Sequence, residues 1–81
     1  MKSKLASEVE MAELMTAIHA IARHAPAVEA DYADEAVGAL TKRRLFLALA
    51  FLRMAQRHES SRRRWARPIE LLEDLVYVVE Q

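Results

Sequence analysis

The amino-acid sequence predicts an all-α fold, in the form of a small three-helix bundle around a long central helix. One Gly and two Pro among 81 residues are too few for the many turns of a β protein, and Ala, Leu, Glu and Arg dominate the composition. The second observation is an uninterrupted apolar run from Leu45 to Leu52, with basic residues on both sides. A helix that is apolar around most of its circumference belongs inside a fold. We therefore expect a single helical domain, residues 1–81, in which the other helices cover this run.

The first predicted helix extends from Ser7 to His24. Ser7 and Glu10 have the spacing of a capping box, in which each side chain satisfies the other residue's backbone N–H. Apolar residues then recur at the helical period. They are Met11, Leu14, Met15, Ile18, Ile21, Ala22 and Ala25. Pro26 ends the helix, because the residue before a proline is disfavoured in the α conformation.

The central helix is predicted to begin with Asp31 as its N-cap and to end near Glu59. Gly38 is the weak point, because glycine costs about 1 kcal/mol relative to alanine inside a helix. We expect a continuous helix that bends at Gly38. The alternative is a short helix that ends there, followed by a second helix with Thr41 as its cap.

Two apolar stripes lie on nearly opposite sides of this central helix when it is drawn as a wheel. The first comprises Ala33, Ala36, Val37, Leu40, Leu47, Phe51, Met54 and Ala55, and the second comprises Leu45, Ala48, Leu49 and Leu52. Arg44 falls within the first stripe, which conflicts with burial of that stripe. We expect helix 1 to cover the first stripe, which makes Leu47 and Phe51 core residues. The central helix is then sandwiched between its neighbours.

The third predicted helix runs from about Pro68 to Val79, with Pro68 in its first turn. Its residues from Val76 to Val79 favour strands, but the sequence offers no partner strand for them. We therefore expect this end of the chain to be helical.

The charges are separated along the chain although the net charge is zero. The block from Lys42 to Arg67 holds nine basic residues and one acidic residue, a net charge of +8, and the remainder holds three basic and eleven acidic residues, a net charge of −8. Either acidic helices pack beside a basic one within the fold, or the basic block faces an acidic partner.

No pattern of catalytic or ligand-binding residues is present, so we expect no enzyme activity, no cofactor and no metal. The chain has no Cys, no glycine-rich phosphate loop and no Gly-x-Ser-x-Gly motif. His19 and His24 lie about 140° apart on a helix and cannot bind one metal from a single face. The acidic segment from Glu29 to Glu35 lacks the spacing of a calcium loop and is typical of an acid-rich helix start.

Phe46 lies outside both apolar stripes, in a basic wedge of the central helix. An aromatic residue surrounded by arginines is typical of the centre of a protein interface. The alternative is that a loop or the tail of the chain folds over the Phe46 ring. Farther on, the run from Arg62 to Arg67 has three readings: a solvated connection in which Trp65 closes one end of the core, a protein-binding segment, or a nucleic-acid contact through phosphate-binding arginines and a stacking Trp. The predicted partner-binding residues are Phe46, Lys42, Arg43, Arg53, Arg57, Arg62, Arg63, Arg64 and Trp65.

These observations favour a non-enzymatic protein-binding module: a small regulator, adaptor, inhibitor or chaperone-like protein of a bacterium or phage. We expect a protein partner with an acidic surface and a homodimer, because the apolar share of 53% exceeds what a thin core uses. The apolar run is too short to span a membrane, and the N-terminal sequence has no apolar signal region, so we expect a cytoplasmic location without membrane association. The alternative is a nucleic-acid-associated regulator that uses the block from Lys42 to Arg67, although the neutral net charge disfavours it.

Overall fold

The structure is a computed structural model that describes the backbone of residues 4–80 and the side chains of residues 8–76. Across residues 4–80 the chain forms four α-helices and no strand: α1 (Lys4–Ala22), α2 (Ala27–Thr41), α3 (Leu45–Arg57) and α4 (Ala66–Glu80). The all-α prediction is confirmed. The predicted three-helix bundle with one long central helix is wrong, because the region from Asp31 to Glu59 contains parts of two helices.

The starts of α1 and α2 both differ from the predicted positions. Helix α1 begins at Lys4, so Ser7 lies inside the helix and does not act as its N-cap. Helix α2 begins at Ala27, directly after Pro26, whose carbonyl accepts the backbone N–H of Ala30 at 2.9 Å. Pro26 is therefore the N-cap residue, in an extended conformation. Asp31 lies in the second turn and does not cap the helix.

A tight turn at residues 42–44 separates α2 from α3. Arg43 adopts the left-handed conformation, with φ of 61°. Its N–H donates to the Leu40 carbonyl at 2.9 Å, and the N–H of Arg44 donates to the Ala39 carbonyl at 2.8 Å. These two bonds make a Schellman motif, in which glycine is the usual residue at the left-handed position. Arg44 is exposed in this turn, which removes the conflict of a charged residue on a buried stripe.

Gly38 does not mark the break between α2 and α3. It lies inside α2, three residues before the end of the helix, and its φ is not positive. Thr41 is the last residue of α2, and its hydroxyl donates to the Val37 carbonyl at 2.9 Å. It therefore does not cap α3, for which Arg44 is the N-cap residue without a side-chain hydrogen bond.

The four helices contact one another as a closed ring. Helices α2 and α3 are antiparallel, since Tyr32 near the start of α2 stacks on His58 just after α3, with ring centroids 5.5 Å apart. Helix α3 also packs against α4, and α1 packs against both α2 and α4. Among the described residues no Cα atom of α1 lies within 8 Å of a Cα atom of α3. Helix 1 was predicted to cover the first apolar stripe of the central helix. This prediction is wrong for the residues of the stripe that lie on α3.

The core faces the second apolar stripe of the predicted central helix. Ala48, Leu49 and Leu52 of α3 are buried, whereas Leu47 is 43% exposed and Phe51 is half-buried. The first stripe is buried mainly where α2 carries it. The largest side chains that are fully buried and apolar are Trp65, Leu14, Ile18, Leu40, Leu52 and Leu72.

Helix α4 begins two residues before its predicted start. Pro68, which is buried, occupies its first turn, where a missing N–H costs no helical hydrogen bond. The backbone is helical through residues 76–79, so the helical prediction for this β-favouring run is confirmed. Packing against α1 and α3 stabilises this helix despite its weak helix-forming residues.

Leu52 and Leu47 of α3 offer a matched test of this arrangement. We expect Leu52→Ala to lower the free energy of unfolding by about 2–5 kcal/mol, because it removes a fully buried side chain and leaves a cavity. Leu47→Ala should lower it by less than about 1 kcal/mol, because Leu47 is already exposed. Urea unfolding of both variants measures the difference. Equal losses would show that α3 presents a different face to the core.

Candidate functional site

A buried carboxylate, Glu29 of α2, joins α2 to the segment that precedes α4. Its side chain is 2% exposed, and one oxygen, Oε1, accepts two hydrogen bonds. The Trp65 indole Nε1–H donates one at 2.8 Å, and the Arg64 guanidinium donates the other at 2.6 Å. A buried carboxylate is stable only when such partners replace water.

A second carboxylate, Glu59, holds the loop between α3 and α4. It is 7% exposed and accepts the backbone N–H of Arg64 at 2.8 and 3.0 Å and the Ser61 hydroxyl at 2.7 Å. Gln56 donates to the Arg62 carbonyl at 3.1 Å, and Arg62 has a left-handed φ of 59°. Side-chain hydrogen bonds therefore fix the path of the loop into α4.

The run from Arg62 to Arg67 is divided between the interior and the surface. Trp65 is fully buried, which matches the reading that it closes the core. A partner-binding role for Trp65 would need an exposed indole, and burial against Glu29 removes it from the surface. Arg64 is half-buried and bound to Glu29, whereas Arg62 and Arg63 are exposed.

Two other predicted binding residues pair with acids of neighbouring helices. Arg53 donates to Glu73 of α4 at 2.6 Å. Arg43 lies 3.5 Å from Glu8 of α1, and its Nη1 also donates to the Met11 sulfur at 3.6 Å. Part of the charge separation along the sequence is therefore balanced inside the fold. Both ion pairs are exposed, and such pairs contribute little to stability.

The outer face of α3 is the apolar surface that this ring of helices leaves uncovered. Phe46 is 61% exposed, Leu47 is 43% exposed, and Ala50 is also exposed. Phe51 and Met54 continue this face and are half-buried. These five residues define the outer face of α3. It is exposed because α3 packs only against α2 and α4 among the described residues.

Basic residues border the outer face of α3 at both ends. Lys42 and Arg44 precede the helix, and Arg57 is its last residue. All three are exposed, and none forms an ion pair within the described residues. We refer to these three residues as the basic rim. Its charges are available to a carboxylate on another molecule.

A groove between α2 and α3 adjoins this face. The α2 side contributes Glu35, Gly38, Ala39 and Lys42, and the α3 side contributes Arg44, Leu47 and Phe51. Leu47 therefore belongs both to the groove and to the outer face of α3. A second groove, between α1 and α4, is lined by Glu10, Glu13, Arg67, Leu71, Asp74 and Leu75.

Sequence reasoning placed Phe46 at the surface but missed Glu29. The position of Glu29 on the helix carries the signal, because Glu29, Ala33, Ala36 and Leu40 follow one another at spacings of four, three and four. This pattern puts Glu29 on the buried face of α2. A predicted start at Asp31 left Glu29 outside the helix and concealed the pattern.

No cluster of three or more metal-ligating side chains occurs in the part of the chain that the structure describes. None of the described helices is both long enough and apolar enough to cross a membrane. No protein-family model, curated protein or solved structure with which the chain was compared matches it.

The bonds to Glu29 can be tested by mutation. We expect Glu29→Ala to lower the free energy of unfolding by about 2–3 kcal/mol, because it leaves the buried Trp65 N–H without an acceptor and breaks a charged hydrogen bond. Glu70→Ala, at an exposed carboxylate of α4, is the control and should change it by less than about 0.5 kcal/mol. Chemical denaturation provides the measurement. Similar values for both variants would contradict the structural role of Glu29.

Proposed function

We propose that this chain is a non-catalytic protein-binding module, a small cytoplasmic regulator or adaptor that acts as a homodimer. The outer face of α3 is the proposed contact with a partner protein. The observation that carries this proposal is an exposed apolar surface that includes Phe46 and Leu47, bordered by basic groups that form no ion pair among the described residues. Contiguous apolar surface with a polar border is typical of protein interaction sites.

The basic rim favours a partner with carboxylates around an apolar centre. Lys42 and Arg44 lie at one end of α3, and Arg57 lies at the other. Acidic residues at both ends of a partner's apolar surface could therefore form ion pairs with them. Charge complementarity of this kind raises association rates and selects among partners more than it raises affinity. Phe46 would supply the largest share of the binding energy, since buried aromatic anchors dominate interfaces.

Dimer formation is part of the proposal because the chain exposes apolar surface that its own helices do not cover. An elongated domain of 39 × 19 × 18 Å has a large surface for its volume. Association of two copies is a common means by which small domains gain stability. The dimer and the partner need not use the same residues, because the α2–α3 groove and the Phe46 end of the outer face point in different directions around α3.

Nucleic-acid binding through residues 42–67 is the second candidate function, and fewer observations support it. Trp65 is buried and cannot stack on a base, and carboxylates engage Arg43, Arg53 and Arg64. Six other cations of this block remain exposed for phosphates: Lys42, Arg44, Arg57, Arg62, Arg63 and Arg67. We retain the protein-binding proposal because the net charge of the chain is zero, whereas a dedicated nucleic-acid domain is normally basic overall.

The proposal predicts that Phe46→Asp abolishes partner capture and leaves the fold intact. A carboxylate at the centre of an apolar contact is desolvated without a partner, so affinity should fall at least about tenfold. The wild-type chain, Phe46→Asp and a control are immobilised and exposed to nuclease-treated lysate, and retained proteins are quantified by mass spectrometry.

The matched control is Val9→Asp, at an apolar residue of α1 that is 50% exposed and lies on a helix that does not approach α3. A protein held by the wild type and by Val9→Asp, and lost with Phe46→Asp, supports the proposal. Loss of helical circular dichroism in Phe46→Asp, or equal capture by all three chains, contradicts it.

Nucleic-acid binding is tested directly by a gel shift at physiological salt with DNA and RNA pools. We expect only weak binding that disappears as salt rises, because contacts to phosphates alone are salt-dependent and the buried Trp65 cannot add base stacking. The double variant Arg62→Ala/Arg63→Ala should reduce this weak binding further. Tight, sequence-selective binding would favour the second candidate over the protein-binding proposal.

A further inference from the structure

Gly38 has no explanation within the chain's own fold. It lies inside α2 with a φ that is not positive, so the backbone does not require glycine there. A Cβ built at this position meets nothing within 4 Å, so packing does not require glycine either. Glycine inside a helix is nevertheless unfavourable relative to alanine. An absent side chain at an exposed helical position allows another backbone to approach closely.

The charged residues around Gly38 are acidic on one side of the glycine and basic on the other. Glu35 lies three residues before Gly38, Lys42 lies four residues after it, and all three line the α2–α3 groove. Each is exposed. Glu35 and Lys42 are seven residues apart, about 10 Å along the helix axis, which is too far for an ion pair within α2. Arg44 lines the groove beside Lys42. The groove therefore has an acidic side at Glu35 and a basic side at Lys42 and Arg44, with the glycine between them.

We infer that a second copy of this chain docks on this groove, with the two α2 helices antiparallel and the two Gly38 residues facing each other at a two-fold axis. This inference rests on the homodimer in the proposed function and assigns its interface. In an antiparallel pair centred on Gly38, residues before the glycine in one chain lie opposite residues after it in the other. Glu35 then meets the partner subunit's Lys42, and Lys42 meets the partner subunit's Glu35.

The arrangement is isologous, so both ion pairs form at once and the association closes as a dimer. Leu47 and Phe51, which line the same groove, supply the apolar part of the contact. An unrelated acidic helix fits this groove less well, because it would bring its carboxylates near Glu35. A second copy brings the opposite charge to each side. In this dimer the partner subunit engages Lys42 of the basic rim, whereas Phe46 and Arg57, away from the groove, stay accessible to another protein.

Charge reversal at the two positions tests the interface. Lys42→Glu places acids opposite acids at both contacts, and Glu35→Lys places bases opposite bases, so each variant should associate at least about tenfold more weakly than the wild type. An equimolar mixture of the two variants should form a heterodimer, because both contacts then regain opposite charges. Sedimentation velocity over a concentration series measures association, and a mass tag on one variant identifies the mixed species.

Two further variants test, separately, the requirement for glycine at position 38 and the general effect of a change in net charge. Gly38→Leu fills the crossing point and should weaken association at least about tenfold, while circular dichroism shows an unchanged helical fold because its side chain meets nothing in the monomer. Glu70→Lys makes the same change in net charge as Glu35→Lys, on α4, which does not approach α2 in the described residues. It should leave association unchanged.

Restored association in the mixture, with loss in each single variant, supports this interface. A wild-type chain that remains a 9.2 kDa monomer at every concentration overturns both the interface and the proposed homodimer. A wild-type dimer that persists in the single charge variants, or a mixture that stays monomeric, overturns this interface alone. Partner capture through Phe46 is measured separately and does not depend on either result.

Discussion

Two hydrogen bonds to one buried oxygen, Glu29 Oε1, link α2 to the segment that leads into α4. Helices α2 and α4 do not approach each other within the described residues, yet Glu29 of α2 holds Trp65 and Arg64 at the entrance to α4. Glu59 holds the same entrance from the end of α3 through the Arg64 N–H. The start of α4 is thus fixed from two helices at once. A buried acceptor left without these donors would be unfavourable, so the loop has little freedom to adopt another path.

This constraint also determines which side of α3 remains exposed. Helix α3 is held at its start by the Schellman turn at Arg43 and at its end by the Glu59 loop. With both ends fixed, Leu52 faces the interior and the side that carries Phe46 faces outward. Hydrogen bonds at both ends of α3 therefore support the orientation in which Leu52 is buried and the outer face of α3 is exposed.

The sequence allowed the all-α class and the helical C-terminal segment to be predicted, because both depend on composition and on periodic apolar residues. The break between α2 and α3 was not predictable from the usual signal, since an arginine occupies the left-handed position where glycine is expected. Gly38, the residue that carried that signal, lies in uninterrupted helix. In one continuous helix, the direction in which each side chain from Ala33 to Ala55 points follows from its position number. The turn at residues 42–44 interrupts this relation, and for this reason Leu47 was wrongly placed in the core.

The candidate site was predictable only in part, because some of its features follow from position on one helix and others depend on neighbouring helices. Exposure of Phe46 follows from its position on α3 and does not depend on how α2 joins that helix. The fate of each arginine depends on tertiary neighbours: Arg53 meets Glu73, and Arg64 meets Glu29, whereas Arg57 meets no acid of the described chain. No local pattern distinguishes these three residues. Burial of a carboxylate beside an indole is likewise a tertiary property.

Trp65 is the only tryptophan in the chain, and the bundle encloses it completely. Its fluorescence therefore reports on a single environment, that of an indole shielded from water and hydrogen-bonded to a carboxylate. Unfolding exposes this indole to solvent and shifts its emission to longer wavelength. Binding of a molecule at the exposed Phe46 should leave this emission unchanged, because Trp65 is buried and does not line that surface. The protein thus contains an intrinsic optical probe that separates loss of the fold from occupation of its surface, without any added label.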